Sequence, residues 1–266
     1  MSEGGDNDQH DLIAVDVRMS RVGIGNRSIL HDLSLSMRGG EFIAVVGPNG
    51  SGKTTFLRLL AGLLRGDGEL MLNGTPLHRH TLRHRARLIS YLPQDTRQPV
   101  WPMPVRDIVA LGLLPFDADL QTRYGPHEQV IDRQLADCDL TAIADRPIDR
   151  ISGGERMRAL LARALVGGQP LILMDEPLTS LDPAHQLRLM QLLAERAAAG
   201  HLVVAVLHDV DLALHFASRV LAFDKGAILA DDVPAAIYAS GILETIFGVT
   251  IRGADTEGGH ILAMRP

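Results

Sequence analysis

The stretch Gly47-Pro48-Asn49-Gly50-Ser51-Gly52-Lys53-Thr54-Thr55 carries the most specific chemistry in the chain. Its spacing, G-x-x-x-x-G-K-T, is that of a P-loop, a turn whose backbone N–H groups converge on phosphate. Glycine at these positions allows φ > 0 and lets the backbone come close to one anion. Lys53 is expected to reach the β- and γ-phosphates, and the Thr54 hydroxyl to ligand Mg²⁺. A second pair, Asp175-Glu176, closes an apolar run and offers two carboxylates side by side. Beside a P-loop, Asp175 suits a Mg²⁺ ligand, and Glu176 suits a general base or water-orienting group. A third motif, Ser152-Gly153-Gly154-Glu155, reads in two ways. It is the S-x-x-E of a helix capping box, and it is also a hydroxyl with glycine N–H groups at a helix start, suited to an anion. Both readings stand on the sequence alone. A chain holding one triphosphate has no need of a second phosphate-seeking helix unless that helix serves another subunit.

These groups need elements that aim them. Phe42-Ile43-Ala44-Val45-Val46 reads as a buried strand feeding the P-loop, and Phe56 to Ala61 as the helix leaving it. Leu171 to Met174 and Leu202 to Leu207 are continuous apolar runs, as in parallel strands covered on both faces. A helix is expected from Ala184 to Ala199, closed by Gly200, with Asp182-Pro183 as N-cap and first helical residue. Leu12–Arg18 and Ile29–Met37 alternate as half-buried strands, Glu69–Leu72 ends in the hairpin signal Asn73-Gly74, and Leu88–Leu92 is another strand. From Val105 to about Gly168 the pattern is helical, after a proline-rich link around Trp101. Val220 to Leu229 suggests a hairpin around Lys225-Gly226, and Gly253 to Gly259 a loop without identifiable chemistry. The Arg- and His-rich stretch Leu77 to Arg87 reads as a solvated helix face. A nucleic-acid patch or a His-metal cluster is the sharper alternative, but no aromatic residues interleave for base stacking.

Composition narrows the class. At 266 residues, with 46% hydrophobic and 22% charged residues, the chain has material for a large core. No apolar run approaches the roughly 20 residues that span a bilayer. The polar, acidic start, Met1 to Asp11, is expected to be a frayed tail and neither a signal peptide nor an anchor. A net charge of −6 argues against wholesale nucleic-acid binding, so no nucleic-acid partner is expected. One cysteine, Cys138, excludes an internal disulfide, fits a reducing cytoplasm and reads as a packing residue.

Taken together, the motifs resemble those of the ATP-binding subunit of an ABC transporter, over about Leu12 to Ile251. The P-loop matches that family's Walker A, Leu171–Glu176 its Walker B, and Ile151–Glu155 its signature loop, with Ile151 where Leu is usual. Gln94 fits the Q-loop glutamine that contacts Mg²⁺ and water, Ser180-Leu181-Asp182 the D-loop, and His208 the switch histidine on the γ-phosphate. The resemblance implies an α/β fold: a P-loop NTPase (RecA-like) core with an N-terminal antiparallel β subdomain and an inserted α-helical subdomain. The domain would run over 12–252, with the core at 12–98 and 169–240, the helical subdomain at about 99–168, and tails at 1–11 and 253–266. It implies ATP and Mg²⁺ as cofactors and catalytic roles for Glu176, His208 and Gln94. Nucleotide contacts would come from Gly47 to Thr55, Ser152, Gly153, Gly154 and Asp182, and metal contacts from Thr54, Gln94 and Asp175.

Partners follow from the same resemblance: a second copy of the chain, head to tail, membrane permease subunits docked on the helical segment near Gln94, and indirectly a periplasmic or extracellular solute-binding protein. The subunit would lie peripherally on the cytoplasmic face of the inner (cell) membrane. Length and the order Val105 to Gly112 are most similar to importers of iron–siderophore, haem or cobalamin complexes. Import of another small solute or metal ion, or a soluble non-transport ABC ATPase, are the alternatives. One departure concerns the base: Arg21 to Asn26 contains no aromatic residue to stack on adenine, leaving Arg21, Val22 or Ile24 to cover it.

Overall fold

Alternation along three short strands decides the architecture. A computed structural model of the chain describes residues 12–25, 27–94, 102–116, 125–256 and 259–265. Two long strands open it, β1 (Ala14–Ile24) and β2 (Arg27–Arg38), paired antiparallel. The fully buried β3 (Phe42–Val46) follows, then the P-loop and α1 (Lys53–Leu60). β4 (Gly66–Leu72) returns against β1, and the two-residue β5 (Thr75–Pro76) pairs with it across the Asn73-Gly74 turn. Strands β2-β1-β4-β5 thus make a four-stranded antiparallel sheet, the N-terminal β subdomain.

A short helix α2 (Leu82–Leu88), with no buried residue, leads into β6 (Ile89–Leu92). The helical segment comprises α3 (Val105–Ala110), α4 (Glu128–Asp137) and α5 (Gly153–Leu165). The chain then re-enters the sheet as β7 (Leu171–Asp175), crosses by α6 (Pro183–Ala198), and continues as β8 (Leu202–Val206), α7 (Val210–Phe216) and the hairpin β9 (Arg219–Asp224) and β10 (Ala227–Asp232). The second sheet has the order β10-β9-β3-β8-β7-β6, parallel except for the β9–β10 pair.

Because side chains alternate across a strand, each central strand feeds two cores. Ile43, Val45, Leu171, Leu173, Leu202, Val204 and Val206 pack with Phe56, Leu57 and Leu60 of α1 and with Val15, Val17 and Met37 of the antiparallel sheet. Phe42, Ala44, Val46, Ile172, Met174, Val203 and Ala205 face the other way, onto α6, α7 and the helical segment through Ile108, Ile131, Leu135, Leu161 and Leu165. Burial on both faces is why these strands read as unbroken apolar runs. The carboxyl ends of β3, β7 and β8 therefore converge between two packed layers, the place where open α/β sheets bind ligands.

The end of the chain differs from its sequence reading. Where a loop and a tail were expected, β11 (Thr250–Thr256) and β12 (Gly259–Arg265) pair antiparallel, Thr250 opposite Arg265. Gly253 and Gly259 weakened the strand signal, and pairing across a turn is not written in either strand by itself. Two further short helices, α8 (Pro234–Ala239) and α9 (Ile242–Phe247), precede this hairpin. Trp101 and the acidic start of the chain lie outside the described residues.

Candidate nucleotide site

Gly47, Gly50 and Gly52 of the P-loop all take positive φ, the conformation that favours glycine. Gly52, the N-cap of α1, has φ 105, and a Cβ there would meet Leu30 Cδ2 at 2.5 Å. Gly47 has φ 150, and a Cβ there would collide with the carbonyl oxygen of Phe223. With Gly52 as N-cap there is no side-chain acceptor for the first turn of α1. Its N–H groups stay available for an anion, and the helix dipole favours negative charge there.

Lys53 is only 6% exposed, and Nζ donates to the carbonyls of Gly47 at 2.7 Å and Pro48 at 2.9 Å. Burial lowers its pKa, against the opposing pull of Glu176 and Asp175. Asp175, at the end of β7, is 1% exposed. Burial raises its pKa, while the bond from Thr54 works the other way. Thr54 Oγ1 donates to Asp175 Oδ1 at 3.2 Å, and Asp175 Oδ2 is buried without a hydrogen-bond partner. A buried carboxylate oxygen with spare lone pairs beside a hydroxyl is a donor set for a hard, oxygen-seeking cation such as Mg²⁺.

Glu176, one residue on, takes φ 54, a left-handed conformation uncommon for a residue with a Cβ. Its N–H donates to Val206 O at 3.3 Å, which ties the end of β7 to the end of β8. That turn carries the carboxylate to His208, just beyond β8, with Nε2 and Oε1 separated by 2.6 Å. Gln94, just past β6, is exposed on the same rim. Asn49, Gly50, Gly52, Lys53, Thr54, Thr55, Gln94, Glu176 and His208 all line one cavity of about 760 Å³. Its remaining walls are Arg27, Ser28, Ile29 and His31 at the start of β2 and Lys225 in the β9–β10 turn. None of these five was singled out by sequence; only the Lys225-Gly226 turn signal pointed near them.

The structure separates a second group of motif residues from that cavity. Ser152 caps α5 in a full capping box: its Oγ accepts from Glu155 N at 3.3 Å, and Glu155 Oε2 accepts from Ser152 N at 2.7 Å. That hydrogen bonding holds the Glu155 carboxyl below its usual pKa. A Cβ on Gly154 would lie 3.1 Å from the Ser180 carbonyl, so the Ser152 loop and the Ser180–Asp182 loop are neighbours. Asp182 caps α6, with Oδ1 accepting from His185 N at 3.0 Å and Oδ2 2.7 Å from His185 Nδ1. Ser152, Gly153, Gly154 and Asp182 are absent from the wall of the nucleotide cavity. For the base, the expectation that Val22 could cover it fails, because Val22 is 0% exposed in the core under β1. Arg21 is exposed and paired across the sheet with His31. Asn26 and the side chain of Ile24 lie outside the described residues.

A P-loop between a parallel strand and a helix, with two acids at the end of β7 two places along the same sheet, defines a nucleoside-triphosphate-binding P-loop protein. The chain belongs to the ABC transporter family, whose model matches residues 30–179. It is similar to the hemin import ATP-binding protein HmuV of Streptomyces coelicolor, 36% identical over 228 residues that cover 85% of this chain and 80% of that protein. It is also similar to the iron(3+)-hydroxamate import ATP-binding protein FhuC of Bacillus subtilis, 32% identical over 230 residues, 86% of this chain and 85% of that one. Among solved structures, it resembles a chain of an ABC transporter assigned to the metal-chelate type, in an inward-facing conformation. That match has a TM-score of 0.76 and 25% identity, and covers 96% of this chain and 97% of the other. The chain is an ATP-binding subunit of this family and hydrolyses ATP. Among the described residues, no helix is long and apolar enough to cross a membrane.

Proposed function

We propose that this chain energises an importer of iron–siderophore, haem or cobalamin complexes by hydrolysing ATP on the cytoplasmic face of the membrane. Permease subunits would span the membrane in its place, and a solute-binding protein would deliver the cargo. The observation that carries the proposal is the split of the site. The groups proposed to bind phosphate and orient water share one cavity, while the Ser152 loop, a capping box at the start of α5, stands outside it. Two copies arranged head to tail would bring the Ser152 loop of one against the triphosphate of the other. ATP then acts as the bridge that closes the pair. Similarity to the hemin and iron(3+)-hydroxamate import ATP-binding proteins supports the cargo class.

The chemistry follows from the side chains. P-loop N–H groups and Lys53 take the charge of the β- and γ-phosphates, the partner copy's Ser152 adding a donor. Glu176 accepts a proton from a water as that oxygen attacks the γ-phosphorus and the bond from phosphorus to the bridging oxygen breaks, giving ADP and phosphate. His208 orients Glu176 and donates to the γ-phosphate; Gln94 holds the water and reports to the permease. Mg²⁺, held by Thr54, Asp175 and Gln94, would neutralise charge on the β- and γ-oxygens. Loss of the bridging phosphate opens the pair, a two-state motion able to drive a membrane partner.

The test is association. The tagged chain, recovered from gently solubilised native membranes, should bring down a polytopic permease, and ATP turnover in proteoliposomes should rise with a cargo-loaded binding protein. Recovery from the soluble fraction alone, with nucleic acid or ribosomes, would replace this reading with a soluble ABC ATPase.

A further inference from the structure

Helix α4 ends on a residue that strains its own turn. The turn closes through Asp139 N to Ala136 O at 3.1 Å and Leu140 N to Leu135 O at 2.8 Å, the Schellman arrangement. The left-handed residue of that arrangement is most often glycine, but here it is Asp139, at φ 53. What aspartate adds over glycine is a carboxylate, and strain of this kind collects where a side chain has a task.

That carboxylate ties three helices together. Arg158 of α5 places Nη1 3.0 Å from Asp139 Oδ2 and donates from the same atom to the Cys138 carbonyl at 3.0 Å. His185 of α6 places Nε2 3.5 Å from that Oδ2, while its Nδ1 lies 2.7 Å from Asp182 Oδ2. One imidazole thus spans from the helical segment to the Asp182 loop. Arg188, on the same face of α6, donates to the Ala136 carbonyl at 3.1 Å. The hydrogen bond with His185 holds the Asp139 carboxyl below its usual pKa, and bonds to His185, its backbone N–H first, do the same for Asp182. The elements so joined start at the two loops set apart from the nucleotide cavity: α5 at Ser152 and α6 at Asp182. Those side chains are 28% exposed at His185 and 64% at Asp139, and an exposed pair adds little to global stability. Its effect is on the relative placement of the two helices.

We propose that His185 is a positioning residue: through Asp139 it fixes the helical segment to α6, so that the Ser152 and Asp182 loops meet a partner's triphosphate as one surface. The inference rests on the shared-site reading above and adds to it a residue that touches no nucleotide.

The test compares side-chain variants of the full chain, in all of which the backbone N–H of residue 185 still serves the Asp182 cap. His185→Asn sets an amide nitrogen near the Nδ1 position and loses the reach to Asp139. His185→Gln sets one near the Nε2 position and keeps that reach. Asp139→Gly removes the carboxylate and relaxes the left-handed turn. Melting temperatures should stay within about 4 °C of the parent, since only exposed contacts are lost. ATP affinity, read by displacement of a fluorescent analogue, should stay within about 2-fold, because neither residue lines the nucleotide cavity. Maximal turnover should fall about 3- to 10-fold in His185→Asn and in Asp139→Gly, and His185→Gln should restore it to within about 2-fold of the parent. The double variant His185→Asn/Asp139→Gly should be no more than about 2-fold slower than the slower single variant. A stable Asp139→Gly chain with normal ATP affinity and slow turnover is a result that a merely structural role does not produce. Parent-like turnover in His185→Asn, a His185→Gln variant equally slow, or losses that multiply in the double variant would each overturn the inference. Ser152→Asp separates it from the reading beneath it. Full activity there removes the shared site and this inference together, whereas an inactive Ser152→Asp beside a parent-like His185→Asn overturns this inference alone.

Discussion

Glu176 and His208 meet at 2.6 Å, Oε1 to Nε2, at the ends of two neighbouring parallel strands. The Glu176 side chain is 15% exposed and the His208 side chain 48%, so the carboxylate is shielded while the imidazole stays open to the cavity. A left-handed backbone at Glu176 costs on the order of 1–3 kcal/mol and persists only where the surroundings enforce it. Here the hydrogen bond from its N–H to Val206 contributes to that enforcement.

Glu176→Gln keeps the shape and removes the proton acceptor. ATP affinity should stay within a few-fold while phosphate release falls by about 100- to 10,000-fold, the range of a lost general base. Single-turnover phosphate release and equilibrium nucleotide binding measure the two separately. Near-normal turnover would remove Glu176 from the catalytic role.

If His208 acts with Glu176 as one unit, their losses do not add. The double variant Glu176→Gln/His208→Ala should turn over no more than about 10-fold slower than the slower single variant, whereas independent roles would multiply. A full double-mutant cycle on the hydrolysis rate decides this.

Ser152 has a structural part that can be separated from its proposed catalytic part. Ser152→Ala loses the cap and should cost about 1 kcal/mol of stability. Ser152→Asp keeps a capping oxygen, so its melting temperature should match the parent. Yet it sets a negative charge where a partner's γ-phosphate would sit, and hydrolysis should collapse. Calorimetry with phosphate release on the same samples gives both values. A Ser152→Asp variant that is stable and fully active would refute the shared site.

Cys138 is buried in the helical segment, with its Sγ 3.5 Å from Gln134 Nε2, and burial pushes its thiol up to about 11, from 9.0. Its folded-state pKa is raised, so the native state favours the protonated thiol. Below about pH 9 both states keep the proton and stability is unaffected. Between about pH 9 and 11 the unfolded chain ionises first, and stability falls by up to about 1.4 kcal/mol per pH unit from this group. Urea titrations of Cys138→Ala over that range should lack this component of the slope. The native thiol should also react slowly with thiol reagents at neutral pH.

Much of the site was legible because its signals are local. The P-loop depends on glycine spacing, the buried strands on unbroken apolar runs, and the Ser152 and Asp182 caps on a three-residue reach. The base end was not legible. Val22, expected as one candidate, is core, because the alternation of β1 turns it inward, while Arg27, Ser28, Ile29 and His31 line the cavity from the next strand. The β11–β12 hairpin was missed for a related reason: neither strand is distinctive alone, and their stability lies in pairing.

By itself, then, the sequence determined which segments bind phosphate, end buried strands in acids, and start helices with caps. Backbone conformation and side-chain reach within a few residues settle those features. Tertiary structure decided which of them meet. Strand order in the parallel sheet brings Thr54 to Asp175 across 121 residues, sets Glu176 against His208, and leaves the Ser152 loop beside Ser180 instead of on the P-loop cavity. No local pattern encodes that order. It follows from burying two faces of one sheet at once, which fixes the neighbours of each strand and so the groups its end presents.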